Sequence, residues 1–239
     1  MTSEGFGHPY AVLRPVRSGN TFEETIEHLL QAIRVGLFPP GQKLPSERDL
    51  AAHLGVSRAT LREALAELQQ AGYLEVRRGR YGGTYILESA ASTGAEEGRI
   101  DPEELRDVLT FRAVIEPAAA EVAAQADLPA SARQHLQACL TDLQAAEQGS
   151  YRARDARFHI AVAELTGSPT LITAVAETRA RTSALLDKIP LLPANLEHSN
   201  QQHEAITGAI LRGDAAQART LMADHLEGTA ALLRGFLEG

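Results

Sequence analysis

In SERDLAAHLGVSRATLREALAELQQAG, residues 46–72, two apolar stripes follow each other with almost no chain between them. Leu50 and Leu54 form one, and Leu61, Leu65 and Leu68 form the other. Their spacing places each set on one face of a helix. Ser46 stands as the N-cap of the first helix with Asp49 three residues on, Ser57 as the N-cap of the second, and Gly72 at its end. Only Gly55 and Val56 separate Leu54 from Ser57. Helices joined so tightly can bury their stripes against each other only by crossing at a steep angle.

The flanks extend this arrangement. A helical pattern at about 21–35 ends at Gly36, and the loop FPPGQKLP leads into Ser46. After Gly72, YLEVRR and TYIL read as two short strands around GRYGG, a hairpin. Helix, helix, tight turn, helix and hairpin together make a winged helix-turn-helix. The last helix opens with Ser57, Arg58, Thr60 and Arg62 on the turns that such folds push into a major groove. Arginine can contact guanine bidentately, and short hydroxyls bond phosphates. Gly79, Gly82 and Gly83 let the hairpin tip approach a DNA backbone, with Arg78 and Arg80 beside them. The alternative is an ordinary solvated helix face, which fits any single arginine better than it fits the whole arrangement.

GLFPPGQKLPSERDLAAHLGVSRATLREALAELQQAGYLEVRRGRYGGTYI closely resembles the DNA-binding domain of the GntR family of bacterial transcriptional regulators. The resemblance covers roughly 21–87. It implies that Arg48, Ser57, Arg58, Thr60, Arg62, Arg78 and Gly79 contact double-stranded operator DNA. Ala59 stands where the family often has Thr or Pro, and residues 1–20 match nothing specific, so they read as an N-terminal extension.

The net charge of −8 at first argues against nucleic acid. Residues 1–87, however, hold 10 Lys and Arg against 9 Asp and Glu, whereas 88–239 hold 13 against 22. The acidic excess belongs to the second part. Between the two, residues 88–100 break the periodicity with small and polar side chains and read as a linker. Asp101-Pro102 then starts a helix. Six helical segments follow, at about 102–126, 130–147, 151–166, 169–188, 193–212 and 214–236, with short breakers and no strand pattern. The expected fold is mainly α, with an antiparallel bundle over 101–239 that binds an effector and dimerises. The single cysteine, Cys139, reads as a core residue. No signal-peptide pattern or membrane span is present in the sequence, so the expectation is a cytoplasmic protein.

The bundle carries one chemical cluster. Asp155 and His159 stand at i and i+4 in DARFHIAVAEL and share a helix face. Alone, such a pair is more often an intrahelical hydrogen bond. His203 and His225 lie in two further helical segments, each beside an apolar stripe. One carboxylate and three imidazoles on three helices suit Zn²⁺, Ni²⁺, Mn²⁺ or Fe²⁺. VLTFRAVIEPAAAEVAA, DARFHIAVAELTGSPTL and QQHEAITGAILRGDAAQARTLMADHL are similar to the FCD effector domain of the FadR-type branch. That resemblance implies a metal on Asp155, His159, His203 and His225. It also implies an inward Arg112, followed by Glu116 at i+4, which could clamp an anionic effector or simply pair with Glu116. His198 reads as a cavity neighbour at most, and His135 as a surface residue.

The expectation is a homodimeric transcriptional regulator, a repressor, controlled by a small organic acid bound near a divalent metal. A metal sensor and a metalloenzyme acting on a small acid are the alternatives. No general base beyond the ligands stands out, and an enzyme would leave the winged domain unexplained.

Overall fold

The computed structural model describes residues 16, 19–79, 82–87 and 100–238. The readings of Arg80, of residues 88–99 and of most of the first 20 residues lie outside them. The elements are α1 (Thr21–Arg34), α2 (Glu47–Leu54), α3 (Arg58–Gln70), β1 (Leu74–Arg77), β2 (Gly83–Ile86), α4 (Pro102–Gln125), α5 (Ala130–Gln144), α6 (Gln148–Glu164), α7 (Pro169–Leu186), α8 (Pro193–Arg212) and α9 (Ala215–Leu237). The two strands form an antiparallel hairpin pairing Leu74 with Ile86 and Arg77 with Gly83.

These residues form two compact units. One contains the described residues up to 87 together with 231–238, and the other contains 100–230.

In the first unit the caps are where the residue types place them. The amide of Asp49 donates to Ser46 Oγ at 3.3 Å and that of Thr60 to Ser57 Oγ at 3.0 Å. Gly55 and Gly72 adopt positive φ and end the helices. Leu50, Leu54, Leu61 and Leu68 are fully buried, which is what the steep crossing was expected to achieve. The wing is fastened by Lys43, whose ammonium donates to the Gly82 carbonyl and whose stem lies where a side chain on Gly83 would be.

The last turns of α9 complete this unit. Arg234 Nε pairs with Glu27 Oε1 at 3.0 Å, and Phe236 meets Tyr73 edge-on at 5.7 Å between centroids. The Arg34 guanidinium donates to the carbonyls of Gly235 and Glu238, satisfying groups that a helix C-terminus leaves open. A Cβ on Gly235 would lie 2.9 Å from the Glu27 Cα, so the two backbones approach through the glycine. Gly235→Ala should therefore lower stability. Alanine gains about 0.5–1 kcal/mol of helix propensity, and forcing α1 and α9 apart costs about 1–3 kcal/mol. A melting temperature at or above wild type would show that the contact yields freely.

The second unit is the expected helical bundle. Asp101 caps α4 by accepting from the Glu103 amide at 2.9 Å, with Pro102 at its first position. The helix boundaries follow the breakers with two differences, the first being that α5 ends at Gln144 rather than 147. α6 begins at Gln148 rather than 151, because a glycine and a serine fit a helix's first turn; the Ser150 hydroxyl donates to the Glu147 carbonyl there. Phe158, Leu136, Leu143, Ile206 and Met222 are fully buried in one apolar cluster, with Cys139 and Leu140 at its margin. The cluster fixes the faces of α6, α8 and α9, and so aims the polar residues beside it.

Candidate functional site

Asp155 and His159 project from α6, His203 from α8 and His225 from α9, and one ligand atom of each lies within 4.8 Å of the others. His203 Nε2 stands 3.1 Å from His225 Nε2, which is 3.3 Å from His159 Nε2. Asp155 Oδ1 is 3.3 Å from His203 Nε2 and 3.8 Å from His159 Nε2. All four residues are buried. Donor atoms about 2.0–2.1 Å from a shared first-row ion would be separated by about 2.8–3.4 Å in octahedral or tetrahedral coordination. The spacings of 3.1, 3.3 and 3.3 Å fall in that range, and the 3.8 Å between Asp155 Oδ1 and His159 Nε2 is wider.

The second faces of the imidazoles support the same reading. His225 Nδ1 is 2.9 Å from Gln202 Oε1, and His159 Nδ1 is 2.6 Å from Glu116 Oε2. Both partners are acceptors, which favours the proton on Nδ1 and the Nε2 lone pair toward the cluster in these two histidines, whereas His203 Nδ1 is buried without a hydrogen-bond partner. Outer acceptors of this kind orient metal-binding histidines. The residues present therefore fit a divalent metal.

Two buried arginines border the set. Arg112, on α4, donates through Nε to Glu116 Oε1 at 2.9 Å, so the anticipated intrahelical pair does form. Its Nη1 and Nη2 are nevertheless buried without a hydrogen-bond partner. Arg179, on α7, donates through Nη2 to Asp155 Oδ2, and its Nε is likewise without a partner. Neither Arg179 nor Gln202 was anticipated from the sequence. The available signal for Arg179 was its place among Val175, Thr178, Thr182 and Leu185, a helical stripe that is buried throughout.

The charges tune one another. Burial works to raise the Asp155 carboxyl, yet the Arg179 guanidinium holds it well below its usual range. Burial also opposes ionisation of Glu116, and Arg112 overrides it. Burial, assisted by Arg179, pushes His159 down to about 4, and burial beside two other imidazoles lowers His225 well below its ordinary value. A histidine in the unfolded chain takes up its proton near pH 6.5. Between that pH and about 4 the unfolded state binds a proton that native His159 does not, so the native state is favoured above the window and loses stability as pH falls through it. Metal-free protein in chelator should show a lower urea midpoint at pH 5 than at pH 7. Equal midpoints would contradict the assignment.

In the first unit, the residues read as DNA contacts are exposed or half-buried on α2, on the opening of α3 and at the wing. Arg58 stands at the first position of α3, while Arg62 Nε is held by Glu47 Oε2 at 2.6 Å. Arg48 pairs with Asp49 at 3.3 Å and remains mostly exposed. Ser57 Oγ already accepts the Thr60 amide and lies 2.8 Å from Thr60 Oγ1, so both hydroxyls are engaged in the cap. Arg78 and Gly79 are exposed at the wing, Gly79 with φ of 105°.

Comparison with known proteins bears on both units. Residues 21–86 match the family described as bacterial regulatory proteins, gntR family, and residues 107–228 match the FCD domain. The chain belongs to the GntR family. It carries the FCD module of the FadR-type branch. The "Putative L-lactate dehydrogenase operon regulatory protein" of Escherichia coli K12 is 33% identical over 83% of this chain and 80% of its own length. The "Uncharacterized HTH-type transcriptional regulator Rv0494" of Mycobacterium tuberculosis is 32% identical over 92% of each chain. The "Uxu operon transcriptional regulator" of E. coli K12 is 31% identical over 83% of this chain and 81% of its own length. This GntR-family chain is a transcriptional regulator with an FCD domain. No described helix is long and apolar enough to cross a membrane.

Proposed function

We propose that this GntR-family regulator is a repressor that binds a short palindromic operator as a homodimer, and that a small organic acid held beside a divalent metal sets its operator affinity. The observation that supports this most is the meeting of four buried metal-ligand atoms with two buried arginines that still have unpaired donors. When bound, the metal supplies a Lewis-acidic centre for a carboxylate. Asp155, His159, His203 and His225 would hold it, Glu116 and Gln202 would orient two of the imidazoles, and Arg112 would direct its free fork at the acid.

The operator would be read by the opening of α3, with Arg58 and Arg62 toward bases and Arg48, Ser57, Thr60, Arg78 and Gly79 toward the backbone. The dimer reading rests on α4. Phe111, Val114 and Val122 are exposed at 45%, 62% and 41% and fall on one face of that helix, an apolar stripe suited to a second copy. For the acid to act on DNA it must bind two arrangements of the dimer with different affinity. The relatives named as operon regulators support a regulator in preference to an enzyme.

The test uses full-length protein purified without affinity tag or chelator. About one equivalent of a transition metal by elemental analysis is expected, together with an operator affinity that changes at least tenfold on adding the acid to metal-loaded protein but little between metal-free and metal-loaded protein without acid. Less than a tenth of an equivalent, with no uptake of Zn²⁺, Ni²⁺ or Mn²⁺, would reduce the four residues to a polar cluster. Operator affinity that follows metal alone would favour the metal-sensor reading.

A further inference from the structure

α6 and α7 pack antiparallel along one seam, and three contacts fix its register. Ala163 packs with Val175, Asp155 bonds to Arg179, and Arg152 Nη1 donates to Asp187 Oδ1 at 2.9 Å. The buried Asp155–Arg179 pair therefore lies between two unlike ends. Toward the start of α7 the seam is dry, because Ala163 and Val175 are buried together with Ala119 of α4. Toward the end of α7 it opens into a groove of about 640 Å³ lined by Gln148, Gly149, Arg152, Ser183, Asp187 and Leu191.

The groove ends one helical turn from the metal-ligand set. Arg152 precedes Asp155 by three residues on α6, and Ser183 follows Arg179 by four on α7. Each pair shares a helix face, about 5 Å apart along the axis. Other approaches are packed. Phe158 lies against His203 at 4.7 Å between ring centroids, and Arg112 and Glu116 on the α4 side are no more than 2% exposed. Tyr151 closes the side between α6 and α8 by donating to Asn200 Oδ1 at 3.0 Å. Across the groove itself lies a single side chain. Besides Asp187, Arg152 bonds the Ile189 carbonyl through Nη2 at 2.9 Å, tying α6 to the chain beyond α7. The Asp187 side chain is 68% exposed, and ion pairs so open to water hold weakly. Deeper in, Arg179 holds Asp155 Oδ2. An entering cation thus meets two arginine-held carboxylates in turn, and replaces one positive charge with another at each step instead of leaving a buried charge unpaired. The groove has room for a divalent ion with six waters, about 180 Å³ at about 30 Å³ per water.

We propose that this groove is the port through which the metal enters and leaves the buried site, with Arg152 as its latch. This rests on the reading of a metal site given above and adds the route to it and the residue that controls the rate.

Zn²⁺-loaded full-length protein should be mixed with excess pyridylazoresorcinol and zinc release followed by absorbance; competition with the same dye gives the zinc Kd. Arg152→Ala and Asp187→Asn are each expected to release zinc at least fivefold faster with Kd within twofold of wild type, so that uptake speeds equally. Ser183→Trp, which fills the groove, should slow release at least fivefold. Asp107→Asn, which breaks the exposed Arg181–Asp107 pair elsewhere on α7, should leave the rate unchanged. Ser183 is half-buried, so where its variant fails to fold, Asp187→Asn at an exposed position decides. Release within twofold of wild type in both Arg152→Ala and Asp187→Asn would overturn the port. So would faster release matched by an equal loss of affinity, the mark of a loosened site. Either result leaves the metal reading standing. Protein that takes up no zinc would overturn the metal reading and the port with it.

Discussion

Replacing Asp155 by alanine should lower the stability of the metal-free protein by about 3–5 kcal/mol, because it strands a buried guanidinium. Arg179 is 1% exposed and donates to Asp155, with Thr178 and Thr182 bonding only to their own helix carbonyls beside it. The other carboxylate whose charge reaches Arg179 is Glu116, and it is already bonded to Arg112. A double variant, Asp155→Ala with Arg179→Met, removes both charges and keeps most of the volume, so it should recover most of the loss. The urea midpoint followed by far-ultraviolet circular dichroism measures both. A single-variant loss under about 1 kcal/mol, or a double variant no better than the single, would mean that water reaches the pair.

Arg58→Ala should cost about 1–3 kcal/mol of operator binding and relax base preference at one position of each half-site. Arg58 stands at the start of the recognition helix, exposed and with no ion-pair partner among the described residues. Arg62→Ala should cost less, because Arg62 must first release Glu47, which holds it at 2.6 Å. Arg48→Ala should weaken all sequences alike and reduce the slope of affinity against salt by about one unit. Titrations against operator and single-base variants at two salt concentrations separate these patterns. A uniform loss for Arg58→Ala would make it a phosphate contact.

Much of this molecule could be read from its residue order, for identifiable reasons. The helices after residue 100 are bounded by Asp101-Pro102, Ser168-Pro169 and Gly213, whose backbone preferences act locally, so their limits fall within a few residues of expectation. Asp155 and His159 announce themselves because i and i+4 share a face whatever the helix packs against. Arg179 did not, because arginine on a helix is usually solvated, and only tertiary packing of α7 decides that this one is buried. Glu116 was legible as a partner for Arg112 but not as the acceptor for His159, since the second contact links α4 to α6 across 43 residues of chain. The association of residues 231–238 with α1 also lies beyond local pattern. Arg34 and Glu27 carry no mark in the sequence that connects them to a helix end 200 residues away.

That association sets an order in time. The ribosome makes residues 19–87 of the DNA-binding unit before the effector domain, yet Arg234, Gly235 and Phe236 of that unit emerge only after it. At roughly 5–20 residues per second, the 143 residues between 87 and 231 take about 7–30 s to synthesise. Throughout that interval Arg34 has no α9 carbonyls to bond and Glu27 no Arg234. A nascent chain therefore carries a winged helix that is folded in outline but lacks its final brace. Translation of the effector domain is finished before the brace arrives, so the fully consolidated DNA-binding unit exists only in molecules whose ligand-binding half has already been made.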